Sequence, residues 1–335
     1  MKLRDALLWP LAVPYELVTR LHAQAYQSGF FPQRKLDAFV ISVGNLTVGG
    51  TGKTPMVLWI AQRLLDEGKT VGILTRGYRG EPSAPDWAGE PDAETVSDEV
   101  QLLRSRLGDR VAFGVGADRF ARGADLVVQG VRYFVLDDGF QHRRLARDVD
   151  IVLIDATNPF GGGHLLPAGR LREPRSALAR ANLIVITRAE HSPAIEAAIR
   201  QDSKAPIFYA RPRLDSVHPL GSDEPVNVAS LHKERLFAFC GIGNPAAFVA
   251  DLRDWEFQVV GRRFFRDHHR YKQADGLALE SEARRCGATA LICTEKDVFN
   301  LTEVRWDFLR RYFCRISLQI DRSEEFWRAV SERLH

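Results

Sequence analysis

Apolar residues along the chain recur with two periods. Short unbroken runs at 38–43 (AFVISV), 71–74 (VGIL), 133–136 (YFVL), 151–154 (IVLI) and 236–239 (LFAF) read as strands buried on both faces. Between them lie stretches with apolar residues three and four apart, predicting helices over about 53–67, closed by Gly68, and 98–107. From about 38 to 210 strand and helix alternate, which predicts an α/β fold: a parallel sheet with helices on both faces. Residues 206–228, rich in Pro, Ser, Asp and Gly, read as a connector. Alternation then resumes, with strands near 236–239, 289–293 and 313–320 and a last helix near 323–334. The expected organisation is an N-terminal segment 1–29, a core domain 30–228 and a second, smaller α/β domain 229–335, with a cleft between the last two.

The N-terminal segment carries Lys2 and Arg4 ahead of the apolar stretch 6–13, then a helix expected to start near Pro14. Leu17, Val18, Leu21 and Ala25 fall on one face of that helix. Ala23-Gln-Ala25 imitates a signal-peptidase site, but Pro14, Glu16, Arg20 and His22 separate it from the apolar stretch, so cleavage is not expected. With Trp9, Tyr15 and the basic flanks, the segment suits a helix lying on an anionic membrane; by itself it suits a helix packed on its own domain equally well. No apolar run approaches the ~20 residues needed to span a bilayer.

Composition changes this picture little. Lys+Arg is 46 against Asp+Glu 43 in 335 residues, so no polyelectrolyte signal points to nucleic acid. Arginine outnumbers lysine 38 to 8, which suits anionic ligands, although a GC-rich genome produces the same skew. The four cysteines form no CxxC pair, which excludes a zinc ribbon and a disulfide scaffold and fits a reducing cytosol.

Chemistry enters after the first strand. Gly44-Asn-Leu-Thr-Val-Gly-Gly-Thr-Gly-Lys-Thr-Pro55 leads into a helix, the context of a phosphate-binding P-loop. Glycines let successive amides turn inward on phosphate, and the helix N-terminus adds partial positive charge. Thr47, Val48, Gly49, Gly50, Thr51, Gly52, Lys53 and Thr54 are the expected ATP-binding residues, with Lys53 on the β and γ phosphates and the Thr54 hydroxyl on Mg²⁺. Thr47 stands where the first glycine of the motif is usual. Asp137-Asp138 ends an apolar strand, where such a site needs an acid for Mg²⁺; alone, Asp-Asp-Gly is as often a solvated turn. Asp155, ending another strand, is expected to make a turn. Arg76 emerges at a strand's carboxyl end, where ligands bind in open parallel sheets. Asp98 has the bland reading of a first-turn acid, and Asp267-His268-His269 that of a loop cap or satisfied histidine.

Taken in order, these blocks resemble the tetraacyldisaccharide 4′-kinases, the lipid A kinases of Gram-negative bacteria. The resemblance runs through SVGNLTVGGTGKTP (42–55), TRGYRG (75–80), SDE (97–99), LDDGFQHRRL (136–145), LLPAGRLREP (165–174), FCGIGNP (239–245), FRDHHRY (265–271) and TEKDV (294–298), after the basic–apolar N-terminus. It implies a P-loop NTPase-like sheet core with a membrane-associating N-terminal helix. It also implies ATP- and Mg²⁺-dependent phosphorylation of the 4′-hydroxyl of a tetraacylated glucosamine disaccharide 1-phosphate, giving lipid IVA, at the cytoplasmic face of the inner membrane; the chain is expected to act as a monomer. By resemblance, Lys53, Asp138, Asp98 and His268 are catalytic, Asp98 with His268 orienting or deprotonating the acceptor. Thr54, Asp137, Asp138 and Glu173 serve the metal, and Asn45, Arg76, Tyr78, Gln141, His142 and Arg172 the lipid. Ser97 stands where the family has glycine.

The alternative is a P-loop switch ATPase at the membrane surface. Partition-type ATPases place a signature lysine before the paired glycines, where Val48 stands, and Thr294-Glu-Lys-Asp297 has the wrong spacing to read guanine. If Asp98 and His268 belong to different domains, closure of the cleft is expected to complete the pair.

Overall fold

The computed structural model describes residues 3–77 and 97–334. In chain order the elements are α1 (Leu3–Gln27), β1 (Phe39–Asn45), α2 (Lys53–Asp66), β2 (Val71–Thr75), α3 (Asp98–Leu107), β3 (Val111–Val115), α4 (Arg119–Val128), β4 (Tyr133–Asp137), β5 (Val149–Asp155), β6 (Leu183–Thr187) and α5 (Pro193–Arg200). They continue as β7 (Ile207–Pro219), α6 (Val228–Leu231), β8 (Arg235–Cys240), α7 (Pro245–Asp254), β9 (Gln258–Phe264), α8 (Gln273–Arg285), β10 (Ala290–Thr294), α9 (Glu295–Val298), β11 (Arg310–Ile320) and α10 (Ser323–Ser331).

The described strands form one sheet in the order β3-β2-β4-β1-β5-β6-β7-β11-β10-β8-β9. Every neighbouring pair is parallel except β7 with β11. The apolar runs of β1, β4, β5 and β6 are buried almost throughout, as strands covered on both faces require. Their carboxyl ends point the same way, so the loops that follow β1, β2, β4 and β5 open on one edge of the sheet.

Two expectations need correcting. Residues 206–228 are not simply a connector: 13 of them form β7, which continues from its pairing with β6 into a long antiparallel ladder with β11. Pro212 is tolerated because β7 has left β6 by Ala210, so one row of its backbone groups is free of ladder bonds. The N-terminal helix does not start near Pro14 but runs unbroken from Leu3 to Gln27. Pro10 and Pro14 lie four apart, so the missing Pro14 amide is the one that would have bonded to the Pro10 carbonyl, and the defects fall on a single stripe.

Ile41, Val43, Met56, Ile60 and Leu103 form a core with Leu318, Ile320, Phe326, Trp327 and Val330, so the end of β11 and α10 return to pack beneath the P-loop helix. Separate apolar clusters cover the two faces of the β8–β11 half, one around Phe248 and Leu252, the other around Leu279 and Phe313.

Candidate active site

The loop after β1 is shaped by its own side chains. Gly52 holds φ 89°, a left-handed value that glycine adopts without strain, and its turn launches α2. Lys53 folds back so that Nζ donates to Asn45 Oδ1 at 3.3 Å and stands 3.5 Å from Asp138 Oδ1. Asn45 Nδ2 donates to Thr51 Oγ1 at 2.9 Å, and Thr187 Oγ1 donates to the Thr51 carbonyl at 3.1 Å. Thr47 replaces the usual glycine without strain because it makes an antiparallel bridge with Leu171. Val48 exchanges bonds with Arg170, its amide donating to the Arg170 carbonyl at 2.9 Å and its carbonyl accepting from Nε at 3.1 Å. Thr54 is the second residue of α2.

Asp137 closes β4 in a buried position, where Thr75 Oγ1 donates to it at 3.3 Å. Burial, helped by the charges of Glu99 and Asp138 and opposed by Lys53, pushes its carboxyl up to about 7. Asp138, held at φ 50°, receives Arg172 Nη1 at 2.7 and 2.9 Å. Burial pushes Asp138 up as well, but Lys53 and Arg172 outweigh it and hold the carboxyl below its ordinary range. Arg172 also reaches Gln141 Oε1 at 3.3 Å, and Gln141 Nε2 donates to the Asn45 carbonyl at 3.0 Å. Asn45, Lys53, Asp138, Gln141 and Arg172 thus form one connected cluster.

His142 stands apart from that cluster. Its Nδ1 accepts from Arg119 Nη1 at 3.2 Å, which leaves the hydrogen on Nε2. Burial and the charges of Arg119, Arg147 and Arg144 lower it to about 4, so the ring is neutral at pH 7. Arg119, missed by the sequence reading, is buried at the start of α4, and burial together with the nearby Arg76 lowers its pKa. The only signal available was its place one residue after the Asp118 cap that follows a strand. Tyr78 lies outside the described residues.

Glu173 does not fit the metal role expected of it. Arg143 Nη2 donates to Oε2 at 2.7 Å, while Arg180 donates to Oε2 at 3.0 Å and to Oε1 at 3.1 Å. Both oxygens are therefore committed to buried ion pairs. Burial raises this carboxyl, and the two arginines more than reverse the shift. Asp155 makes the expected turn, accepting from Thr157 N and Oγ1, and in addition receives Asn244 Nδ2 at 2.9 Å.

Asp98 begins α3, where the Ser97 hydroxyl caps the helix by accepting from Val100 N at 3.4 Å. Asp98 is 3% exposed. Its Oδ1 accepts from Glu99 N at 2.9 Å and from His268 Nδ1 at 2.9 Å, and its Oδ2 accepts from Asn300 Nδ2 at 2.9 Å. A carboxylate opposite Nδ1 requires the hydrogen there, leaving Nε2 as the acceptor of the neutral ring, 3.8 Å from both Glu99 Oε1 and Asp267 Oδ1. Burial raises Asp98, but His268, Lys296 and Asn300 together hold it below its ordinary value. The bond to Asp98 raises His268 against the effect of burial. Lys296 Nζ lies 3.1 Å from Glu99, 3.2 Å from Asp267 and 3.9 Å from Asp98. Asp98, Glu99 and His268 could together hold a cation, but the Lys296 ammonium already supplies positive charge to two of the three. His269 is the satisfied histidine of the pair, its Nε2 bonded to Asp275 at 3.1 Å.

The pair spans the two halves of the sheet, since His268 follows β9 while Asp98 follows β2. The charge of Glu99 raises Asp137, and α3 follows β2, the parallel neighbour of β4, so the pair and the acids lie at the same edge of the sheet. The turn after β8 also faces this cleft: a Cβ on Gly243 would overlap the Gly50 amide.

Residues 4–335 match the family described as tetraacyldisaccharide-1-P 4′-kinase, LpxK. The tetraacyldisaccharide 4′-kinase of Syntrophobacter fumaroxidans is 39% identical over 330 residues, covering 91% of this chain and 84% of its own. That of Geobacter metallireducens is 41% identical over 316 residues, with 89% of each chain covered. The solved structure of LpxK from Aquifex aeolicus in complex with ATP superposes with a TM-score of 0.74 at 28% identity, over 99% of this chain and 100% of its own.

Proposed function

The chain belongs to the tetraacyldisaccharide-1-P 4′-kinase family, and within that activity we propose that phosphate passes from the Lys53 loop to an acceptor held against the Asp98–His268 pair. The enzyme is an ATP-dependent kinase of lipid A biosynthesis. One contact carries the residue assignment: His268 reaches across the cleft to Asp98 at 2.9 Å.

The amides of residues 49–54 and Lys53 Nζ hold the β and γ phosphates, while Thr47 and Val48, bridged to Leu171 and bonded to Arg170, shape the loop. The oxygen donors nearby fit a hard divalent cation. Asp137 in particular is a buried acid raised by two other acids, with no cation in contact among the described residues. Thr54 and Asp137 would therefore hold Mg²⁺, which would neutralise charge on the phosphoryl oxygens, while Asp138, whose two oxygens already take Arg172, would align Lys53 rather than serve the metal. The acceptor 4′-oxygen bonds to the γ-phosphorus as the bond to the bridging oxygen breaks, and the hydroxyl proton passes to His268 Nε2. Asp98 is an unsuitable base because both its oxygens already accept hydrogen bonds. It orients the ring and favours its protonated form. Asn45, Arg76, Gln141, His142 and Arg172 bind sugar and phosphate oxygens of the acceptor, yielding lipid IVA, and Tyr78 belongs with them.

No helix among the described residues is long and apolar enough to cross a membrane. Val13, Leu17, Val18 and Leu21 of α1 are each more than half exposed, which supports a helix lying on an anionic surface at the cytoplasmic face of the inner membrane. Residues 30–228 and 229–335 serve as the two bodies that meet at the pair, with the end of β11 and α10 crossing back to pack on the first.

The test is label transfer from γ-labelled ATP to tetraacyldisaccharide 1-phosphate in micelles with Mg²⁺. Lys53→Ala and His268→Ala are each expected to lose at least a hundredfold in kcat. Full activity of His268→Ala would sink the assignment of the base.

A further inference from the structure

The N-terminal helix has two faces with different partners. Val13, Leu17, Val18 and Leu21 point outward, while Ala12, Tyr15, Thr19 and Ala23 turn toward the protein. Two long-range polar bonds fasten the inward face to the rest of the chain. Tyr15 Oη donates to the Arg172 carbonyl at 3.0 Å, and Arg143 Nη1 donates to the Ala23 carbonyl at 3.3 Å. The first ends on Arg172, and the second on Arg143, which bonds onward to Glu173. Arg172 is gripped at its carbonyl by Tyr15 and at its amide by the Leu46 carbonyl at the foot of the phosphate loop, 2.8 Å away. Its side chain then crosses to both oxygens of Asp138. Arg143 continues into Glu173, which in turn holds Arg180.

From this chain of contacts we infer that Tyr15 is a positioning residue, tying the seat of the interfacial helix to the Arg172–Asp138 pair beside the transferring phosphate. The inference rests on the roles proposed above for α1, Arg172 and Asp138. Tyr15 acts through a backbone carbonyl, so it touches neither nucleotide nor acceptor. Its ring packs against the apolar cluster around Leu171 and Leu178, which gives the hydroxyl a fixed origin. Burial, with the charge of Glu173, raises the phenol, so it remains a donor throughout the working pH range. A helix displaced from its seat releases the Arg172 carbonyl, and a guanidinium on a loosened backbone no longer pins Asp138 in its left-handed conformation. The bond thereby links engagement of the lipid surface to the geometry of the acids.

The experiment compares wild type, Tyr15→Phe, Arg172→Lys and the double variant in the micelle assay, with thermal unfolding of each. Tyr15→Phe keeps the ring and its packing and removes one oxygen. It is expected to unfold within a few degrees of wild type and to lose about fivefold in kcat with the ATP KM changed less than twofold, the rate equivalent of one net hydrogen bond. The double variant is expected to be no slower than Arg172→Lys alone, because both changes act through the same pair. Wild-type kcat in Tyr15→Phe, or losses that multiply in the double variant, would overturn the coupling. A uniform fall in kcat and in thermal midpoint for Tyr15→Phe would also overturn it, leaving the tyrosine a packing residue. Absence of labelled lipid from wild type would instead overturn the functional reading beneath it.

Discussion

At the scale of single residues, two adjacent acids are shifted in opposite directions. Asp137 and Asp138 are adjacent, yet only Asp138 faces Arg172 and Lys53, so its carboxyl is held down while its neighbour is pushed up to about 7. His268 accepts a proton only when unprotonated, so kcat/KM is expected to fall as pH drops through its raised pKa. Asp98→Asn removes the bond that raises it, and the acid limb should move to lower pH as the plateau falls on the order of a hundredfold. Lys296→Met removes a cation that opposes protonation of His268, so the limb should move to higher pH. Rate profiles in which neither variant shifts the limb would remove His268 as the titrating base. Linkage to folding runs in two directions. The contribution of Asp98 is present above its unfolded pKa and lost as pH falls through its lowered native value, whereas that of His268 is present below its unfolded pKa and lost as pH rises through its raised one. Glu173→Gln tests a structural reading. Breaking the buried pairs with Arg143 and Arg180 is expected to cost about 3 kcal/mol in chemical denaturation while leaving the Mg²⁺ dependence of rate unchanged. A weakened Mg²⁺ response at full stability would return Glu173 to the metal.

At the scale of elements, helix α1 separates into a face that docks and a face that does not. Leu17→Glu with Leu21→Glu places charges on the outward face, at positions more than half exposed, so the thermal midpoint should stay within a few degrees. Partitioning onto vesicles containing anionic phospholipid should fall on the order of a hundredfold or more, because about 1.5–3 kcal/mol of apolar insertion is lost for each leucine. Unchanged vesicle recovery, measured by flotation, would count against a membrane-facing role. Strand β7 teaches a different lesson about elements. From Arg211 to Ser216 its residues alternate between exposed and half-buried, and they pair with β11, whose sequence lies about a hundred residues away. Prolines and charges that read locally as a connector become a strand because a distant partner supplies the ladder.

At the scale of the whole molecule, the site depends on how two halves meet. Asn244 bonds to Asp155 at 2.9 Å and Arg188 to Asp251 at 2.6 and 2.7 Å, so the turn after β8 and helix α7 are clamped onto the ends of β5 and β6. Gly243 lets this turn approach the phosphate loop. Gly243→Ala is expected to hold the halves apart and to lower kcat/KM at least tenfold, with the isolated fold intact by circular dichroism. Wild-type kinetics in that variant would show that the turn moves freely over the loop and that its approach is not needed. The Asp98–His268 contact is already made in this structure, and a nucleotide-bound state with the two residues far apart would sink the idea that closure serves to assemble them.

What the sequence determined by itself was local chemistry and local periodicity. The loop 44–55, the strand ending at Asp137 and the helix opened by Asp98 are short segments whose side chains and backbone answer to near neighbours, and all three stand where their patterns place them. The resemblance to a family extended that to Asp98 and His268, 170 positions apart, which no periodicity connects. The tertiary structure alone decided what depends on distant partners. It engaged both oxygens of Glu173 with arginines, kept helix α1 continuous through two prolines, drew β7 into the sheet and buried Arg119 beside His142. A carboxylate's role follows from which cation reaches it first and how much water remains, and both are set by packing between segments far apart in the chain.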